Sequence, residues 1–226
     1  SLNQRSGNPK LRPELINSFE LSWNMEKKNG SLSLVGFYRL RHRAILPFTV
    51  LDQNGVAFTR PLNFGNAATW GAEAIGAWNP SAMYGTNASL SAFLVDISDS
   101  GGLLEVPKRL FSWYAKWVNN FNLSANSKLQ VTGNYTAPTV IPQGKSIAVQ
   151  FVDIGYQHRL LSGKGRLGVV VTDVFNTQKT GQVASGTGFL SSRISKQDTR
   201  AVMVTFGYTF SGSFREKLME NRFKND

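Results

Sequence analysis

The sequence predicts an all-β chain, an antiparallel up-and-down transmembrane β-barrel, on three observations. Apolar residues recur at every second position, the period of a two-faced strand and not of a helix. The alternating runs reach ten residues and more, beyond the ~5–6 usual in globular strands. Tight turns and longer polar connections alternate between the runs, as in barrels with short links at one rim and long loops at the other.

Taken in order, strands are expected at 18–28, 31–46, 66–78, 83–98, 109–122, 127–138, 146–161, 165–176 and 199–210. The first sets Phe19, Leu21, Trp23 and Met25 against Glu20, Ser22, Asn24 and Glu26. In the second, Leu34, Gly36, Tyr38 and Leu40 oppose Arg39, Arg41 and Arg43. Trp70 and Trp78 share a face of the third, with Ala72, Ala74 and Gly76 between them and Glu73 on the other side. At ~3.3 Å per residue and a tilt near 40°, those tryptophans stand about 20 Å apart in depth, close to the ~25 Å height of a lipid-facing apolar band. The fifth strand places Phe111, Trp113, Ala115, Trp117 and Phe121 opposite Ser112, Tyr114, Lys116 and Asn120. In the last, Val202, Val204, Phe206, Tyr208 and Phe210 alternate with Ala201, Met203, Thr205, Gly207 and Thr209.

Energetics orient the faces, because an Arg on lipid at mid-depth costs about 2–4 kcal/mol. Charged side chains therefore turn to a hydrated lumen and apolar ones to hydrocarbon. Trp23, Trp70, Trp78, Trp113, Trp117, Tyr208 and Phe210 are the candidate aromatic girdle. Residues 146–152 and 167–175 carry apolar groups on both faces and suggest a bulge or a packed lumenal side. A soluble β-sandwich shows the same alternation, although its water-facing side usually carries more Lys and Glu than these runs do.

Composition narrows the function classes. The 226 residues hold 25 Lys and Arg against 14 Asp and Glu, a net charge of +11. Cysteine is absent, which excludes disulfides, thiolate metal sites and cysteine nucleophiles. His42 and His158 lie far apart, so no multi-histidine metal site and no cofactor site is read. No run approaches the ~18 apolar residues of a spanning helix. The opening Ser1-Leu2-Asn3-Gln4-Arg5 has no apolar leader core and reads as a mature product or a piece of something longer. The basic residues are spread over turns, loops and single faces, so anionic lipid headgroups are expected partners and nucleic acid is not.

Three motifs carry a resemblance. Gly7-Asn8-Pro9-Lys10-Leu11-Arg12-Pro13-Glu14 resembles the G-N-P-x-L-x-P-E element of TonB-dependent outer-membrane receptors. Thr172-Asp173-Val174-Phe175-Asn176-Thr177 resembles the D-x-F-N segment near the end of those barrels, and Val202–Phe210 is similar to their terminal aromatic strand. Over residues 7–210 the chain is similar to the outer membrane beta-barrel family of Bacteroidota, Gly144 after Pro142-Gln143 included.

That resemblance implies a 22-stranded type of barrel with an N-terminal plug, of which this chain would supply about nine C-terminal strands. The division expected is 1–210 for barrel and 211–226 for a periplasmic C-terminal tail. The rest of the barrel, the plug, outer-membrane lipids, the TonB complex (through the missing N-terminal region) and a surface lipoprotein are the implied partners, in the bacterial outer membrane. The short turns would then be periplasmic, and loops 47–65, 99–108, 139–145 and 177–198 extracellular. Arg39, Arg41, Arg43, Glu73 and Lys116 are candidate lumenal contacts for a ligand or the plug, with pairing among neighbours as the simpler use. Uptake of an external ligand is the leading expectation and a non-transporting barrel that scaffolds a surface complex the alternative. An enzyme is not expected, since no nucleophile stands at a recognisable spacing from either histidine.

Overall fold

Aromatic and β-branched runs that alternate with polar residues satisfy their backbone groups by pairing side by side, and here they do so in one long ladder. The computed structural model describes residues 3–98, 108–186 and 188–210. Among them the strands are β1 (Asn3–Arg5), β2 (Leu15–Lys27), β3 (Gly30–His42), β4 (Ile45–Leu51), β5 (Ala57–Asn63), β6 (Asn66–Trp78), β7 (Tyr84–Ser98) and β8 (Lys108–Asn122). They continue as β9 (Ser127–Thr136), β10 (Val140–Ile141), β11 (Gly144–Ser146), β12 (Val149–Leu160), β13 (Gly165–Thr172), β14 (Thr180–Gly186), β15 (Phe189–Ser195) and β16 (Ala201–Tyr208). Nine form an antiparallel wall in the order β16-β13-β12-β9-β8-β7-β6-β3-β2, and these are the nine expected from the alternation.

The register sets the tilt. One row of paired residues runs Gly30, Trp78, Thr86, Asn119, Val131, Ile154, Val171. It begins at the first residue of β3, directly after a short turn, and ends at the seventh of β13, so the pairing climbs about one residue per strand. With ~3.3 Å per residue and ~4.8 Å between strands, the strands lean by about 35°, within the range of membrane barrels.

The same register assigns every wall residue to a face. Trp23, Leu34, Ala74, Leu90, Ala115 and Tyr135 follow one another across six strands on the outward side. Ser22, Val35, Glu73, Ser91, Tyr114 and Thr136 make the neighbouring row on the inward side. The apolar face stays open to its surroundings, with Leu21 at 81% and Phe206 at 63% exposure. Such a face is suited to hydrocarbon rather than water.

The long connections depart from expectation. Segments 47–65, 139–145 and 177–198 are not open loops but hold β4–β5, β10–β11 and β14–β15, each pair an antiparallel hairpin. In the first, the strand expected to run from 31 to 46 stops at His42, because Arg43 takes a left-handed φ of 53° and starts a new strand two residues on. Arg43 thus leaves the inward row assigned to it, and its backbone instead bonds Gly65 and Asn63. Residues 99–107 of the remaining long loop and the tail 211–226 lie outside the described residues.

Candidate functional site

The hairpins do not project away from the wall; they fold over its inward face. Ala67 and Ile97 pair with each other on that face, where they are buried with Ala44. Leu46 of β4 and Val140 of β10 pack against this cluster beside Val95. Burying these side chains holds two hairpins over the mouth of the lumen.

Polar clamps fix the arrangement. Thr49 of β4 donates its backbone N–H to Gln143 Oε1 (2.8 Å), and Gln143 Nε2 donates back to the Thr49 carbonyl (2.7 Å). One side chain thereby closes the gap between hairpins 94 residues apart. β11 pairs with β14, which brings the third hairpin into the same sheet. β1 adds to β5 in parallel, so Arg5 stands opposite Thr59.

Two of the recognised motifs are structural parts of this head. Asn8 donates to the Pro61 carbonyl at 3.0 Å, and Asn63 exchanges hydrogen bonds with the Arg12 backbone. Glu14 accepts two hydrogen bonds from the Arg41 guanidinium, both 2.8 Å, and one from the Ile45 N–H at 2.7 Å. The Arg41 hydrogen bonds outweigh partial burial and hold the Glu14 carboxyl below the usual range.

Asp173, the acid of the D-x-F-N segment, is fully buried just past β13. Burial alone would raise its pKa. Donation from the Thr199 hydroxyl, the Gln178 and Thr177 N–H groups and the Lys196 ammonium prevails and holds it well below the ordinary carboxylate value. The knot pins both ends of the β14–β15 hairpin. No local sequence signal reveals that role, because the partners come from both sides of the hairpin.

Within this head lie two adjoining cavities, of about 410 and 330 Å³, that share Arg5, Thr49, Thr59, Gln182 and Ala184. Arg60, Pro47 and Ile141 extend the first, Arg193, Phe189 and Leu190 the second. A third cavity of about 380 Å³ lies lower on the inward face, lined by Glu20, Arg39, Glu73 and Tyr114 among others.

The residues singled out in the sequence distribute unevenly. Arg39 and Glu73 meet in the lower cavity, where Arg39 lies 3.8 Å from half-exposed Glu20 and Tyr114 donates to Glu73 at 3.1 Å. Arg41 is spent on Glu14. Lys116 shares the inward face, opposite Ser89 and Asn134, with no carboxylate at ion-pair distance among the described residues. Trp23, Trp70, Trp78, Trp113, Trp117 and Tyr208 all fall on the outward face, and Phe210 packs edge-on against Tyr208 at 4.7 Å. Trp70 and Trp113 stand toward the hairpin end, Trp78 and Tyr208 at the short-turn end. Trp23 and Trp117 sit between those levels, and Trp117 satisfies its indole N–H by donating to Thr86 Oγ1 at 2.8 Å.

One expectation about the histidines needs correcting. The register sets Ser127 directly opposite His158, with Oγ 2.8 Å from Nδ1. Tyr156 donates to the same serine, and no acid orients the ring among the described residues. The trio is a satisfied polar cluster near a short turn, without the third member that nucleophilic catalysis needs.

A tilted antiparallel wall, apolar outside and polar inside with its long connections folded inward, defines a transmembrane barrel of the bacterial outer membrane. The chain belongs to the outer membrane protein beta-barrel family, whose sequence profile matches residues 1–208. No curated protein matches it. Among solved structures it is similar to the copper transporter OprC, with TM-score 0.67, 14% identity and coverage of 89% of this chain and 32% of that one. It is similar to the ferric yersiniabactin uptake receptor FyuA from Yersinia pestis (TM-score 0.63, 12% identity, 87% of this chain and 30% of that one). The FrpB iron transporter from Neisseria meningitidis (F3-3 variant) also matches, with TM-score 0.55, 14% identity and coverage of 91% and 33%. The likeness establishes the fold, and the chain spans about a third of the length of each of these structures.

Proposed function

We propose that this chain forms part of the wall and external vestibule of a TonB-dependent receptor that takes up an external ligand. The observation that carries the reading is the packing of Leu46 and Val140 on inward-facing Ala67, Val95 and Ile97. It sets a cavity-bearing head over the lumen, where an incoming solute would first be held. β2 and β16 are the outer strands of the nine-stranded sheet. Unpaired backbone groups each cost several kcal/mol in lipid, so strands outside this chain complete the barrel on both sides. Arg39, Glu73 and Lys116 then serve as lumenal contacts for a plug or a passing ligand, while Arg41 is held by Glu14, and the outward aromatics anchor the wall in the bilayer. Similarity to proteins named as transporters and an uptake receptor supports transport over catalysis.

The test is engagement of the energy source. The complete protein, purified from outer membranes, should bind the isolated periplasmic domain of TonB, and removing the segment N-terminal to the barrel should abolish binding. A complete, folded protein that shows no such binding would overturn the transport reading in favour of a barrel scaffolding a surface complex.

A further inference from the structure

We infer that the groove in the hairpin head is a binding site for a compact polyanion, held by Arg5, Arg60 and Arg193. The inference deepens the proposed uptake function and rests on it for the placement of the head outside the cell. The two cavities that share Arg5, Thr49, Thr59 and Gln182 are halves of one groove, with Arg60 on the first and Arg193 on the second. Arginines of β1, β5 and β15, remote in sequence, line it. Among the described residues no Asp or Glu lines either cavity.

Two acids close to these arginines along the chain are already engaged, and Asp198, which follows Arg193 in sequence, lines neither cavity. Asp52 caps its own turn by accepting the N–H groups of Asn54 and Val56. Glu14, which binds the Ile45 backbone at the groove's edge, is clamped by Arg41. None of the three arginines has a carboxylate at ion-pair distance among the described residues, and all three are exposed. Exposed arginines need no ion-pair partner, but here three of them line one groove. An arginine fork matches the two oxygens of a carboxylate or phosphate. Gln182 adds a polar group beside the Thr49 and Thr59 hydroxyls, which bond each other at 2.8 Å, and each half-groove lies within the ~300–1,000 Å³ range of small-ligand sites. A polycarboxylate and a polyphosphate meet this chemistry equally, and two probes separate them.

The experiment uses the complete protein in detergent and isothermal titration with citrate, inorganic pyrophosphate and glucose. At least one anion is expected to bind saturably and less tightly as salt rises, while glucose does not bind. The triple variant R5Q/R60Q/R193Q should weaken that binding at least tenfold. Arg109→Gln, on the outward face beside Asp96, should leave binding unchanged. Retained heat-modifiable mobility on gels shows that the variants are folded. The proposal is overturned if neither anion binds, if glucose binds as tightly as the anions, or if the triple variant binds as the native protein does. Anion binding without TonB engagement would sink the transport reading and leave the site standing; TonB engagement without anion binding would do the reverse.

Discussion

Replacing Leu90 by arginine puts a charge on the outward face at a depth the structure specifies. Leu90 lies between Ala74 and Ala115 and is 47% exposed. It is six residues along β7 from Tyr84, whose ring packs with Trp78 and Phe121 at centroid distances of 6.4 and 5.2 Å near the short-turn rim. At a lean of about 35°, each residue rises ~2.7 Å, so Leu90 sits about 16 Å above that rim, within ~4 Å of the middle of a ~25 Å band. An arginine there should cost about 2–4 kcal/mol, which lowers the folding equilibrium by roughly 30- to 900-fold. Asn87→Arg, on the inward face opposite Ala77 and Val118, remains hydrated and should change stability by less than ~0.5 kcal/mol. Urea titration of the complete protein in lipid vesicles, read by heat-modifiable mobility, measures both. Equal losses at the two positions, or a silent Leu90→Arg, would refute the assignment of faces.

Other outcomes follow from the clamps. Gln143→Ala removes both hydrogen bonds to Thr49 and should destabilise the docking of the hairpins by about 1–3 kcal/mol. Limited proteolysis should then cut the 45–63 segment faster while the wall stays resistant; unchanged cleavage would contradict the clamp. The Asp173 knot should weaken in acid, because the folded carboxyl has a depressed pKa. Its contribution is complete above the unfolded value of about 3.9 and declines as pH falls from there toward the depressed folded value. Amide exchange protection at Thr177 and Gln178 should fall with it in that window, and Asp173→Asn should abolish the pH dependence.

The wall was legible in the sequence because lipid outside and water inside impose a strict period of two over long runs. Trp70 and Trp78 on one face with Glu73 on the other suffice to orient a strand. The hairpins were not legible. Gly144-Lys145-Ser146 and Thr180–Gly186 are short, polar and rich in small residues, so no alternation marks them, and their pairing is fixed by contacts between distant segments such as Gln143 with Thr49. The alternation carries the expected strand through to Leu46, and only the left-handed turn at Arg43 separates β4 from β3. For the same reason Arg39 and Glu73 could be placed on the lumenal face from sequence, whereas the position of Arg5 beside Thr59 in the hairpin head depends on a β1–β5 pairing that local pattern does not encode.

The chain contains no cysteine, so within it an introduced thiol reports on one place alone. Gln182 lies in the groove of the hairpin head and Asn126 in a short turn at the opposite end of the wall. With an impermeant maleimide on intact cells, Gln182→Cys should label at once and Asn126→Cys only after the outer membrane is breached. Prompt labelling at Asn126 with protection at Gln182 would put the groove on the periplasmic side, where no external ligand could reach it first.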